Sequence, residues 1–366
     1  LEMFGRNHYV PILKGREGEY GALQTLAPST RQAVTPLIEI PPIPWDFAEE
    51  GPAKTVDQHL KKVGQKIDRA WGSSRRLFLD LLWIPESERL ADGSHPLSHV
   101  FQSLRARQVP AVPVVSLVRG DEYLRACRAI VDQDHRGVCI RIQREDFGDF
   151  EDVDAIVGRI LDAVDVRVRD SDLVFDLRAL TPDERNLHVD AVIGFMNRLP
   201  RLREWRTFTV AATSFPQNLT GLPPSDASLI PRQEWHLWTE IYRRRNQRID
   251  RAPTFGDYAI SHPEPAEVDP RVMRPSASVR YTCDAAWLIL KARNLRDHGY
   301  KQFHDVCRVL VRRPEYCGRQ FSWGDQYIDD CAAERVGTGN LTTWRKVGTS
   351  HHLAFAVHQI ANETGS

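Results

Sequence analysis

The sequence predicts an α/β protein: a (β/α)8 barrel of the TIM type carrying a C-terminal, mostly helical extension packed on it. Three observations predict this. Eight apolar, strand-like runs occur at 9–14, 35–40, 77–84, 111–117, 137–142, 172–177, 207–214 and 254–260. Most are continuous rather than alternating, as strands buried on both faces require. Helix-sized segments separate them, and the span matches the usual size of such a barrel. An open doubly wound sheet is the other arrangement of the same elements.

The first unit sets the pattern. Tyr9-Val10-Pro11-Ile12-Leu13 is apolar and ends in Lys14; Gly15 turns the chain, and a helix is predicted over 18–26. The next helix, 56–71, carries Val56, Leu60, Val63, Ile67 and Trp71 at spacings of three or four. Further helices are predicted over 97–107, 121–132, 153–164, 182–199 and 233–246. Thr181-Pro182-Asp183-Glu184 supplies a cap, a proline at the first helical position and acids in the first turn. Four prolines between 261 and 275 read as a loop. A ninth strand at 278–283, an apolar stretch at 285–290 and helices over 300–312, 323–335 and 342–362 complete the chain. The predicted division is a barrel over 7–265 and an extension over 266–362 that covers the barrel mouth. Leu1-Glu2 and Glu363-Thr364-Gly365-Ser366 read as cloning remnants.

Composition narrows the class. Of 366 residues, 42% are hydrophobic and 27% charged, and 49 basic residues balance 49 acidic ones. General binding to nucleic acid or to an anionic membrane is not expected. No run approaches the roughly 18 apolar residues a membrane span needs, and no signal-peptide pattern is present. The six cysteines include no C-x-x-C pair, so reduced thiols and a cytoplasmic location are expected. The phosphate-loop, dinucleotide, zincin and nucleophile-elbow motifs are all missing.

The polar residues at strand ends are Lys14, Glu39, Asp80, Ser116, Arg119, Arg141, Asp176, Arg178, Ser214, Asp257 and His262. In a barrel they face one opening. Glu39, Asp80 and Asp176 form a candidate metal set, with oxygen ligands that suit Mg²⁺ or Mn²⁺. Lys14, Arg141 and Arg178 are placed to neutralise a phosphate. Mutual pairing of the same carboxylates and cations is the competing expectation. Gly348-Thr349-Ser350-His351-His352 is a small polar turn before a helix, suited to an anion and to a titratable imidazole. The competing expectation there is a cap by Ser350. Asp80, Asp176 and His352 are thus the candidate catalytic residues. Arg16, Glu19, Trp323, Trp344 and His351 join Lys14, Arg141 and Arg178 as ligand-binding candidates. Residues 323–325 and 344–352 are predicted to complete the cavity that holds Lys14 and Glu39. The run Tyr242-Arg243-Arg244-Arg245-Asn246-Gln247-Arg248 reads as the solvated end of a helix.

The residues Tyr9-Val10-Pro11-Ile12-Leu13-Lys14-Gly15-Arg16 with Glu19 and Leu23 resemble a known pattern. So do Pro36-Leu37-Ile38-Glu39-Ile40, Phe255-Gly256-Asp257-Tyr258, Arg280-Tyr281, Trp323-Gly324-Asp325 and Trp344-Arg345-Lys346-Val347-Gly348-Thr349-Ser350-His351-His352. Together they are similar to the bacteriophage beta-protein family. The resemblance implies a cytoplasmic single-chain fold and a link to phage–host conflict, and it carries over no catalytic residue. Two functions therefore stand. One is a barrel that binds a small anionic, phosphate- or nucleotide-like ligand, extending to metal-assisted phosphodiester hydrolysis. The other is a non-catalytic interaction or sensor module that binds a phage or host protein.

Overall fold

Eight parallel strands close into a barrel in the computed structural model, which describes residues 4–365 apart from 149, 182–184, 200, 225, 245–248, 250, 266–268 and 270. The predicted helix start at Pro182-Asp183-Glu184, the end of the basic run at Arg245-Asn246-Gln247-Arg248, and Leu1, Glu2 and Ser366 lie outside the described residues. In chain order the main strands are β1 Tyr9–Leu13, β2 Leu37–Glu39, β3 Leu77–Asp80, β4 Ala111–Ser116, β5 Cys139–Gln143 and β6 Asp172–Ala179. They continue with β7 Thr207–Thr213, β8 Asp226–Pro231, β9 Thr254–Asp257, β10 Ser276–Thr282 and β11 Ala286–Asn294. The barrel order is β1-β9-β7-β6-β5-β4-β3-β2. Each of the eight predicted runs falls on one barrel strand. The first and last are neighbours, with Tyr9 opposite Phe255 and Val10 opposite Gly256.

Alternation along the strands sorts the side chains. Val10, Ile12, Leu37, Phe78, Val112, Val114, Cys139, Val174 and Ala211 fill the barrel interior. Their neighbours Tyr9, Leu13, Ile38, Leu79, Val115, Ile140, Leu173 and Phe255 face outward into the layer under the helices. Both sets are buried, which is why the runs read as continuously apolar. At the N-terminal end the interior is sealed by Asp172, which accepts from Arg206 Nε at 3.1 Å and from Thr207 Oγ1 at 2.6 Å.

Two elements differ from expectation. The helix predicted over 56–71 is two helices, Val56–Leu60 and Val63–Trp71, because Lys62 leaves helical geometry at φ −109°, ψ 3°. The segment 226–231, inside the predicted barrel span, is an extra strand in the tail. β8 pairs antiparallel with β11, and β11 with β10, in a three-stranded sheet. It was missed because a six-residue edge strand ending in Pro231, with Leu229 exposed, carries little local signal. The tail helices Gln302–Leu310 and Trp323–Ala332 build a second core on this sheet from Val279, Tyr281, Phe303, Ile328 and Trp344. The C-terminal helix, Leu341–Gly365, joins the two cores: it packs on β10 and on β1 and the first helix, Glu17–Gln24.

Candidate functional site

The polar layer at the C-terminal end of the barrel is a single buried network. Parity places Glu39, Asp80, Arg141 and Asp176 inward, each at 2% exposure or less. Arg141 is the hub. Its Nη1 lies 2.7 Å from Asp80 Oδ2 and 2.8 Å from Glu39 Oε1, and its Nη2 lies 2.7 Å from Asp176 Oδ2. Tyr258 donates to Asp176 at 2.6 Å and accepts from Arg141 Nη2 at 2.9 Å. Lys14 donates to Glu39 Oε2 at 2.5 Å and also to the Pro263 carbonyl, so the segment after β9 closes over it. Trp83 donates its indole N–H to the same Glu39 oxygen at 3.0 Å.

Burial and charge separate these groups. Burial alone would raise Glu39, but Lys14 and Arg141 outweigh it and bring its carboxyl down to about 2. Asp80 is raised: its burial exceeds the pull of Arg141. Burial also lowers Lys14, against the attraction of Glu39. Two further buried polar atoms in this layer, Ser116 Oγ and Gln143 Nε2, have no hydrogen-bond partner.

The structure thus brings together Lys14, Glu39, Asp80, Arg141 and Asp176, and it corrects two readings of them. The proposed metal ligands Glu39, Asp80 and Asp176 converge on the Arg141 guanidinium, which fills the place a cation would take. Among the described residues no group of three or more His, Cys, Asp or Glu side chains is arranged to hold a metal ion. The cations expected to meet a phosphate are also occupied. Lys14 and Arg141 serve carboxylates, and Arg178 turns to the rim, where it pairs with Glu264 and lies 3.6 Å from Glu145 Oε1. Asp257 points outward rather than into the opening.

His351, His352, Trp323 and Trp344 were expected to complete this cavity; they do not. None makes a hydrogen bond, ion pair or ring contact with Lys14 or Glu39. His352 lies outside the barrel wall, with Nε2 2.9 Å from Asp257 Oδ2 and 3.1 Å from the Tyr9 hydroxyl, and Nδ1 2.8 Å from Thr282 Oγ1. Tyr9 donates to the other Asp257 oxygen, which also accepts from the Ala259 N–H at 2.8 Å. His351 faces the tail, with Nδ1 2.9 Å from Asp325 Oδ2 and Nε2 2.9 Å from the Thr282 carbonyl. Its ring stacks on Tyr281 at 3.7 Å. Trp344 stacks on Phe303 at 4.2 Å in the tail core, and Trp323 lies under Lys346 at 3.7 Å. The predicted polar turn at 348–352 is the interior of a helix, so neither a helix start nor a Ser350 cap exists there.

A different cluster lies where barrel and tail meet. The segment after β9 is gripped from outside by two arginines. Arg280 Nη1 donates to the Ile260 carbonyl at 2.9 Å, and Arg345 Nη1 reaches Ser261 Oγ at 3.5 Å. Ser261 Oγ donates to Glu19 Oε1 at 3.4 Å, and Glu19 Oε2 accepts from the Arg16 N–H at 3.0 Å. Glycines allow this closeness. A Cβ on Gly18 would stand 2.8 Å from Arg345 Cβ, and one on Gly348 would stand 2.9 Å from the Arg280 carbonyl. Burial, then the charges of Arg345 and Arg16, lower Arg280 to about 9. Arg345 is lowered by burial, partly offset by Glu19. Arg16 and Glu19 were singled out from sequence; Arg280 and Arg345 were missed as site residues. Their signal was present, since both stand in the motifs that carry the family resemblance.

A family model described as Beta protein matches residues 9–358, nearly the whole chain. No curated protein matches the chain.

Proposed function

The chain belongs to the Beta protein family, and from that premise we propose that it binds a small phosphate-like anion at the seam of barrel and tail, through Arg16, Arg280 and Arg345. One observation carries the reading. Three arginines meet there with one carboxylate, Glu19, and among the described residues none of the three has a salt-bridge partner within 4 Å. Partly buried like charges repel, and an anion between them would relieve that repulsion through charge-assisted hydrogen bonds. The basicity of Arg280 is depressed first by burial and then by the charges of Arg345 and Arg16, and the second of these causes supports the same reading. The site adjoins the segment that closes over Lys14, so it keeps the anionic ligand of the sequence reading while replacing most of its residues. The reading is of binding; the carboxylates held by Arg141 give metal-assisted hydrolysis no support. The phage–host setting implied by the family gives such binding a use as a signal.

The test is titration calorimetry and thermal unfolding with inorganic phosphate and with a nucleoside monophosphate. Binding by the wild type that is lost in Arg280→Met and Arg345→Met, with the free variants still folded, is the expected result. A wild type indifferent to both anions, or variants that bind them equally well, would overturn it.

A second reading, docking of a phage or host protein, is favoured by exposed apolar side chains on loops at the C-terminal end of the barrel. These are Trp45, Val118, Val272 and Met273. Arg271 Nη2 reaches the Phe47 carbonyl at 3.4 Å, which ties two of those loops together.

A further inference from the structure

Further along the C-terminal helix, toward its end, lies a groove of about 590 Å³, bordered by Trp235 of helix Gln233–Arg243 and by Phe321, Phe355 and Asp284. Its size falls within the roughly 300–1,000 Å³ of small-ligand sites. The walls are aromatic. Phe321 meets Phe355 edge-on at 6.1 Å, and Trp235 and Phe355 are seated in the protein at 8% and 6% exposure. The floor is rigid: Gln359 donates to the Asp284 carbonyl at 2.8 Å and accepts from the fully buried Arg232 at 2.5 Å. The charge lining the groove is acidic. The Asp284 carboxylate has no ion pair among the described residues, and Glu363 lies 3.8 Å from Arg243. Among the described residues no lysine or arginine lines the groove, and His358 is the one basic side chain on its wall. Arg232 behind it lies 5.6 Å over the Trp235 ring, is engaged by Glu234 at 3.2 Å and faces Asp257 at 3.9 Å.

We propose that this groove binds an organic cation, an alkylammonium or guanidinium group, held against Phe321 beside the buried rims of Trp235 and Phe355 and paired with Asp284. Aromatic faces attract such cations, and the attraction grows where water is excluded. A carboxylate at the rim adds a charge-assisted hydrogen bond and selects against neutral and anionic ligands. The cation comes either from a free amine or from a lysine or arginine side chain of a peptide. The chemistry is the same in both cases, and the experiment separates them. This site is independent of the arginine seam in place and in charge.

Cys317 provides the readout, since it lines the groove and is exposed, whereas Cys127, Cys139, Cys307 and Cys331 are buried. The folded wild type is alkylated with iodoacetamide, and modification of Cys317 is followed by mass spectrometry. Tetramethylammonium and spermidine are the free-amine arm, and the amides of acetyl-lysine and acetyl-arginine are the side-chain arm. Saturable, several-fold slowing of Cys317 modification by either arm is expected, with the stronger arm naming the source. Asp284→Asn and Phe321→Leu should each weaken the protection. No slowing by any of these cations would overturn the proposal. So would equal slowing by tert-butanol or by sodium chloride at matched ionic strength, or undiminished protection in Asp284→Asn.

Discussion

His352 Nε2 lies 2.9 Å from Asp257 Oδ2, and this contact joins the C-terminal helix to the last barrel strand in a fully buried environment. Burial lowers His352 from its ordinary value despite the pull of Asp257. Its Nε2 donates to the carboxylate, and its Nδ1 is hydrogen-bonded with Thr282 Oγ1 at 2.8 Å. The Asp257 carboxyl is held below its usual range: burial opposes this, but His352, Arg232 and Tyr9 outweigh it. The next residue, His351, points away and engages Asp325 in the tail. Two adjacent histidines thus fasten one helix to two cores.

Replacing His352 with alanine leaves a buried carboxylate short of a partner and opens a cavity. The loss expected is about 2–4 kcal/mol of folding stability, read as a lower urea midpoint. Phosphate binding per folded molecule should persist, because His352 has no contact with the arginine seam. A His352→Ala protein as stable as the wild type would contradict this account of the contact.

Acid should destabilise the protein before its carboxylates titrate. Burial, then Arg75 and Arg76, hold His8 down to about 3; burial, then Arg89 and Arg119, hold His95 down to about 4. Unfolded histidines take a proton near about 6.5. Below that pH the unfolded chain binds more protons than the fold does, so stability falls as the pH drops from about 6.5 toward the depressed values. His95 Nδ1 caps helix Pro96–Arg105 by accepting from the Leu97 N–H at 3.1 Å. His95→Ser keeps an acceptor there without a titrating group. Denaturant titrations at several pH values should give a flatter profile for that variant between pH 6.5 and 4.

Arg141→Met removes the hub of three buried carboxylates. Uncompensated buried charge of this kind typically costs about 3–5 kcal/mol. Adding Asp80→Asn should recover part of the loss, because one of the stranded charges is then gone. Equilibrium unfolding of the wild type, both single variants and the double variant measures that coupling. Additive effects would mean that the two residues do not share a network.

Gly348→Ala puts a methyl group 2.7 Å from Ile260 Cδ1 and 2.9 Å from the Arg280 carbonyl. The second neighbour is backbone and cannot turn aside. A loss of about 1–3 kcal/mol is expected from such overpacking. Phosphate affinity should fall with it, since Ile260 and Arg280 both belong to the seam. Thermal unfolding with and without phosphate separates the two effects.

The sequence by itself determined the barrel and the end at which its polar residues collect. Strands buried on both faces need continuous apolar runs, and parallel strands all finish at one end, so both properties are written locally. Tertiary structure alone decided the rest. Asp257 and Tyr258 are adjacent, yet one faces the tail and the other the barrel interior, because β-strand side chains alternate and a shift of one residue exchanges the faces. Whether Glu39, Asp80 and Asp176 meet a metal or a guanidinium depends on Arg141 projecting among them from a strand 61 residues beyond Asp80. Arg16, Arg280 and Arg345 come together only because the C-terminal helix lies along the first helix and β10. Such meetings are set by long-range packing, which leaves no periodicity in the residues that take part.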